Sequence, residues 1–159
     1  MEKIHFHVSI DAPVQTVWRT MLGPDTYRQW TGAFHEGSYY VGDWELGSEI
    51  RFLGPSDEEG PSDGGLFGRI VESRPGEFIS IEYDGMVLGG GDDTTSEFAR
   101  AVAGTHENYT FREEDGVTTV FVEMDADPAM VDMLTESWPV ALDELTLLAE
   151  SAERESGEG

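Results

Sequence analysis

Hydrophobic positions along this chain follow two rhythms. Over residues 3–10, Ile4, Phe6, Val8 and Ile10 alternate with His5, His7 and Ser9, the period of a strand with one buried face. Over residues 130–150, Met130, Leu134, Trp138, Ala141, Leu145 and Leu148 recur at steps of three and four, one face of a long helix. Pro139 lies inside that pattern. Proline removes a helical hydrogen bond and crowds the turn before it, so a kink or break is expected near Ser137. The run would then divide into an adaptable arm bearing Met130, Met133, Leu134 and Trp138 and an anchoring arm bearing Leu145 and Leu148.

Between these ends, Asp11-Ala12-Pro13 stops the first strand. Val14, Val17, Trp18, Met21 and Leu22 mark a short amphipathic helix that Gly23-Pro24 ends, and Asp25 can cap a second short helix through Trp30. From Phe34 the texture is that of strands and turns, at 38–41, 48–53, 66–73 and 78–83. A final hairpin, from 102 or 104 to 113 and over 117–124, turns at Glu114-Asp115-Gly116. The acidic stretch 54–65 reads as a mobile hairpin loop. Residues 84–103, with glycines at 89, 90 and 91, read as a long loop with a short helix at 96–103, a candidate lid. The pattern predicts an α+β fold: a curved antiparallel sheet of about six or seven strands around the long helix, with two short helices after the first strand. It is read as a single domain over 1–153 with a fraying polar tail at 154–159.

Composition narrows the function. Asp and Glu number 33 against 9 Lys and Arg, a formal net charge of -24, which disfavours nucleic acid and anionic membrane surfaces. Lys3 is the only lysine, and so dense a carboxylate surface suits a salt-rich cytoplasm in which self-repulsion is screened. Cysteine is absent, and no apolar run is long enough for a membrane span or a signal peptide, so the cytoplasm is the expected location.

The order of elements resembles the helix-grip fold of START-related lipid-transfer domains, polyketide cyclases and the birch-pollen-allergen group. More narrowly, the segments IDAPVQTVWRTM, YRQW, GDWELGSEIRF, GRIVESRPGEFISIEY, ENYTF, VTTVFVEMD and WPVALDEL resemble the activator of Hsp-90 ATPase homologue family. The resemblance implies an apolar cavity between sheet and long helix, and it transfers no activity. The co-chaperone that names the family carries an additional N-terminal chaperone-binding domain. Here the chain begins at the first strand, so chaperone stimulation is not expected.

In such a fold the cavity lining should include Phe52, Tyr83, Tyr109 and Phe111 from strands, and Met130, Met133, Leu134 and Trp138 from the helix. Trp30 and Phe34 are expected at its mouth. Glu107, in phase with Tyr109 and Phe111, is the candidate acid–base group, unless it reaches water or pairs with Arg69 or Arg51. His5 and His7 share a strand face but lack a third ligand, since His35 and His106 cannot be placed; no metal and no cofactor are expected. Asp57, Glu58, Glu59 and Asp63 depart from calcium-loop spacing, and the glycines at 89–91 lack phosphate-loop context. The expected partner is an apolar or aromatic small molecule, with a cyclase or hydratase activity and a chaperone-related interaction as alternatives. A free sheet edge would permit a homodimer, for which the sequence carries no specific signal.

Overall fold

The structure is a computed structural model that describes residues 2–34, 36–55, 64–88 and 91–157. Strand β1 (Glu2–Ile10) leads into α1 (Val14–Leu22) and α2 (Pro24–Trp30). There follow β2 (Tyr39–Gly42), β3 (Glu49–Gly54), β4 (Gly64–Arg74), β5 (Phe78–Leu88), β6 (Gly91–Asp93), α3 (Glu97–Val102), β7 (His106–Glu114) and β8 (Val117–Ala126). A 3₁₀ turn, Pro128–Met130, then enters α4 (Val131–Gly157). All strand pairs are antiparallel, in the order β1-β8-β7-β5-β4-β3-β2, with β6 pairing β5. This is the α+β helix-grip architecture.

The alternation in β1 places Ile10 fully inside, and Phe6 and Val8 pack against the core. From α4, Trp138, Ala141, Leu142, Leu145 and Ala149 are buried at helical spacing and lie in the same core. The sheet turns at Asp115 and Gly116, both at positive φ (52° and 80°), the pair of conformations that a two-residue hairpin requires.

Three expectations change. Helix α4 runs unbroken through Pro139. Thr135, whose carbonyl loses its bond, and Pro139 itself are both exposed, so water can take the missing donor's place. The helix also continues to Gly157, past the start of the expected tail, and Glu153 accepts a hydrogen bond from Thr16 Oγ1 at 2.8 Å. Finally, 84–103 is not a free loop. Strand β5 continues through a bulge at Asp84, because Phe67 pairs with Gly85 while Gly68 pairs with Tyr83. Strand β6 folds back on it, and Ser96 Oγ caps α3 by accepting from Ala99 N at 3.2 Å. Residues 56–63 of the acidic loop, with the carboxylates considered there, and the glycines at 89 and 90 lie outside the described residues.

Candidate functional site

A cavity of about 510 Å³ lies between the concave face of the sheet, α2 and the first turns of α4. Local chemistry fixes its walls. The last carbonyls of α1 have no helical partner. Trp30 Nε1 donates to Met21 O at 3.1 Å, while Tyr40 Oη and Trp44 Nε1 donate to Leu22 O at 2.5 and 3.0 Å. These bonds tie the end of α1 to α2 on one side and to β2 and the segment after it on the other. Tyr27, three residues before Trp30 and so on the same helix face, is thereby set over the cavity.

The strands bring Phe52, Leu66, Tyr83, Glu107, Tyr109 and Met124 to the same space. Glycine is required beside them: a Cβ on Gly65 would lie 1.8 Å from Phe52 O, and one on Gly68 would lie 2.2 Å from Glu82 O. No other residue permits those strand approaches. From α4 and the turn before it come Met130, Met133, Leu134 and Trp138. Leu88, Met133 and Pro55 are exposed and mark the mouth.

Aromatic rings form an almost closed circuit in this wall. Tyr83, Phe52 and Tyr27 follow one another with centroids 6.1 Å apart at each step. From Tyr27 the circuit continues to Trp30 at 5.4 Å, Trp138 at 6.0 Å and Tyr109 at 6.2 Å. Glu107 closes it, because Tyr83 Oη donates to its Oε1 at 3.2 Å and Tyr109 Oη donates to its Oε2. Its partial exposure is exposure to the cavity that it lines. Burial pushes the Glu107 carboxyl above its ordinary range, and the bonds from Tyr109 and Tyr83 oppose that rise. Burial, and then the charge of Glu107, push the phenols of Tyr83, Tyr109 and Tyr27 well up, so all three stay protonated donors.

Several sequence expectations meet different surroundings. Phe111 is buried but lies outside the cavity, beneath α1, where its ring meets Trp18 edge-on at 5.1 Å. Trp30 is 1% exposed, a wall rather than a mouth. Glu107 does not pair with the arginines: Arg51 binds Asp92 and Glu49, and Arg69 binds Glu82 and Asp84. Among the described residues of the segment expected as a lid, only Leu88 lines the cavity. His5 faces Glu123 at 3.2 Å, His7 stacks on Phe121, and His106 faces Glu82 at 3.7 Å, while His35 lies outside the described residues. Among the described residues no group of three or more His, Cys, Asp or Glu could hold a metal, and no helix is long and apolar enough to cross a membrane.

Sequence reasoning missed Tyr27, Leu66 and Met124. Met124 was accessible: counting back from the hairpin closure Glu114↔Val117 pairs it with Glu107. Tyr27 carried its signal in the three-residue spacing to Trp30.

Solved structures share this architecture. The Chromobacterium violaceum protein CV1439 superposes with a TM-score of 0.64 at 19% identity, covering 94% of this chain and 99% of that one. An AHSA1-like protein from Aeromonas hydrophila gives 0.65 at 18% identity, with 95% and 94% covered. DynU16, a protein of the dynemicin biosynthetic locus, gives 0.64 at 14% identity, with 96% of this chain and 49% of that one covered. At these identities the likeness shows the fold alone. No curated protein matches the chain. The sequence itself is decisive, since residues 11–150 match one family throughout: the chain belongs to the family described as Activator of Hsp90 ATPase homolog 1-like protein.

Proposed function

We propose that this chain is a cytoplasmic ligand-binding module that holds an apolar or aromatic small molecule between its sheet and α4. The observation that carries the reading is the cavity of about 510 Å³, walled by aromatic and methionine side chains around one hydrogen-bonded carboxylate. Its volume falls within the range of small-molecule sites, roughly 300–1,000 Å³, and its make-up matches theirs: apolar walls with a few placed polar groups. Binding would be driven by apolar area leaving water, with Glu107 and the tyrosine hydroxyls setting orientation. Likeness to a protein of a biosynthetic locus accords with a metabolite as occupant. The test is native mass spectrometry of protein purified without denaturant from its own source. A retained small molecule, released on unfolding, is expected; protein of bare mass that also takes up no apolar probe would overturn the reading.

One observation favours a second reading, an enzyme of the cyclase or hydratase type. Glu107 lies in hydrogen-bond contact with two phenols inside the cavity, an arrangement able to take a proton from a ligand and stabilise the resulting oxyanion. Under this reading Glu107→Gln would still bind the ligand but leave it unconverted, as product analysis would show.

A further inference from the structure

Glu107 is a desolvated carboxyl group with no cation beside it among the described residues. No Lys, Arg or His stands among the described residues that line the cavity. The groups facing the carboxylate are phenols from three elements, Tyr83 on β5, Tyr109 on β7 and Tyr27 on α2, all held protonated by their surroundings. Burying a carboxylate without a counter-ion is costly, and two phenol hydrogen bonds occupy only about two of its roughly four acceptor positions. When ionised, Glu107 therefore keeps an open acceptor position and an unbalanced charge.

The walls around it have a matching property. Tyr83, Phe52, Tyr27, Trp30, Trp138 and Tyr109, joined ring to ring, all line the same space. Aromatic faces carry partial negative charge and attract organic cations, whose alkyl parts also gain from leaving water. A net charge of -24 adds an attractive field for cations and repels carboxylate ligands before they reach the mouth.

We infer that the occupant of this cavity is an organic ammonium: an aromatic or alkyl amine whose cationic nitrogen meets Glu107 inside the aromatic circuit. The inference rests on the ligand-binding reading and names the chemical class it selects. An alcohol could donate to Glu107 but would leave its charge unbalanced, whereas an ammonium does both. An anionic ligand would set like charges together in a dry site.

The test is calorimetric titration with three probes of one shape and different charge: tryptamine, tryptophol and indoleacetate. At about 1 M salt, where the surface field is screened to roughly 3 Å, tryptamine is expected to bind about ten- to a hundredfold more tightly than tryptophol, the span of a charge-assisted bond. Indoleacetate should bind weakest. Glu107→Gln should abolish the preference, bringing tryptamine to the level of tryptophol in the same variant. A wild-type pH series supplies a readout free of any folding defect in the variant. The preference for tryptamine over tryptophol should shrink with acid as Glu107 takes up a proton. Tryptophol binding as tightly as tryptamine, or a preference that persists in Glu107→Gln or vanishes at high salt, would overturn the ammonium assignment and leave the apolar-ligand reading standing. Binding of none of the three would count against both.

Discussion

Trp138 joins the long helix to the cavity, and replacing it by alanine tests how the site is built. Its side chain is 3% exposed. Its ring lies 4.9 Å from Phe34, 6.0 Å from Phe6, 6.0 Å from Trp30 and 6.2 Å from Tyr109, and its indole nitrogen is 3.2 Å from Met124 Sδ. Removing a buried tryptophan side chain costs about 3–5 kcal/mol, from lost transfer energy plus the void left behind. At 3% exposure the ring meets the cavity only at its margin, so about 4 kcal/mol, the middle of that range, is expected. Leu145 is the control: it is fully buried on the same helix and does not line the cavity. Leu145→Ala removes fewer atoms but opens a new void in packed core, so its cost should be similar, about 3 kcal/mol. Urea unfolding followed by far-ultraviolet circular dichroism, with m-values compared, reads both. If Trp138→Ala costs about twice as much as Leu145→Ala, the ring supports packing well beyond its own contacts. A cost under about 1 kcal/mol would deny Trp138 its part in the wall.

Three further outcomes follow from the same geometry. Burial raises the Glu107 pKa, so over the pH range between its unfolded and folded values the unfolded chain has released a proton that the folded protein keeps, and stability falls as pH rises through that window. Glu107→Gln should therefore melt close to wild type below about pH 4 and increasingly above it toward neutrality, and a difference of melting temperatures independent of pH would contradict the buried environment. Pro139 is exposed within an unbroken helix, so Pro139→Ala should restore a hydrogen bond and stabilise the fold by about 1–2 kcal/mol in urea unfolding; destabilisation would mean that proline makes contacts of value there. With a net charge of -24, the melting temperature should climb between about 0.1 and 2 M potassium chloride, and a fall would contradict the expected relief of self-repulsion.

The sequence carried the architecture because burial imposes a period on each element. Alternation from Ile4 to Ile10 and the three–four spacing from Trp138 to Leu145 identify faces without knowledge of the neighbours. The hairpin at Asp115-Gly116 even set a register, since its closure pairs Glu107 with Met124. What periodicity cannot give is distance along the sheet. Phe111 shares its face with Glu107 and Tyr109, yet it lies under α1, beyond the cavity. Asp84-Gly85 misled in another way. It has the composition of a turn but forms a bulge, and its glycine is required because a Cβ there would sit 2.6 Å from Asp93 O and 3.0 Å from the Phe67 ring. Arg51 and Arg69 could be assigned away from Glu107 only once their strands were paired, since Asp92, Glu82 and Asp84 reach them from other strands. Pro139 shows a local rule overridden: tertiary packing of the buried face keeps α4 continuous where propensity alone would divide it.

The central claim is that the space between α4 and the sheet is a binding site. Leu134, half-buried in its wall, is the place to test it, because Leu134→Trp would narrow the cavity from the helix side while Glu107, Tyr83 and Tyr109 stay in place in the sequence. Titration of an apolar fluorescent dye into wild-type protein and into this variant measures the site directly. A single saturable site is expected in the wild type and strongly weakened binding in Leu134→Trp, with the melting temperature retained. Equal dye binding by the two proteins would place the binding elsewhere and contradict the central claim.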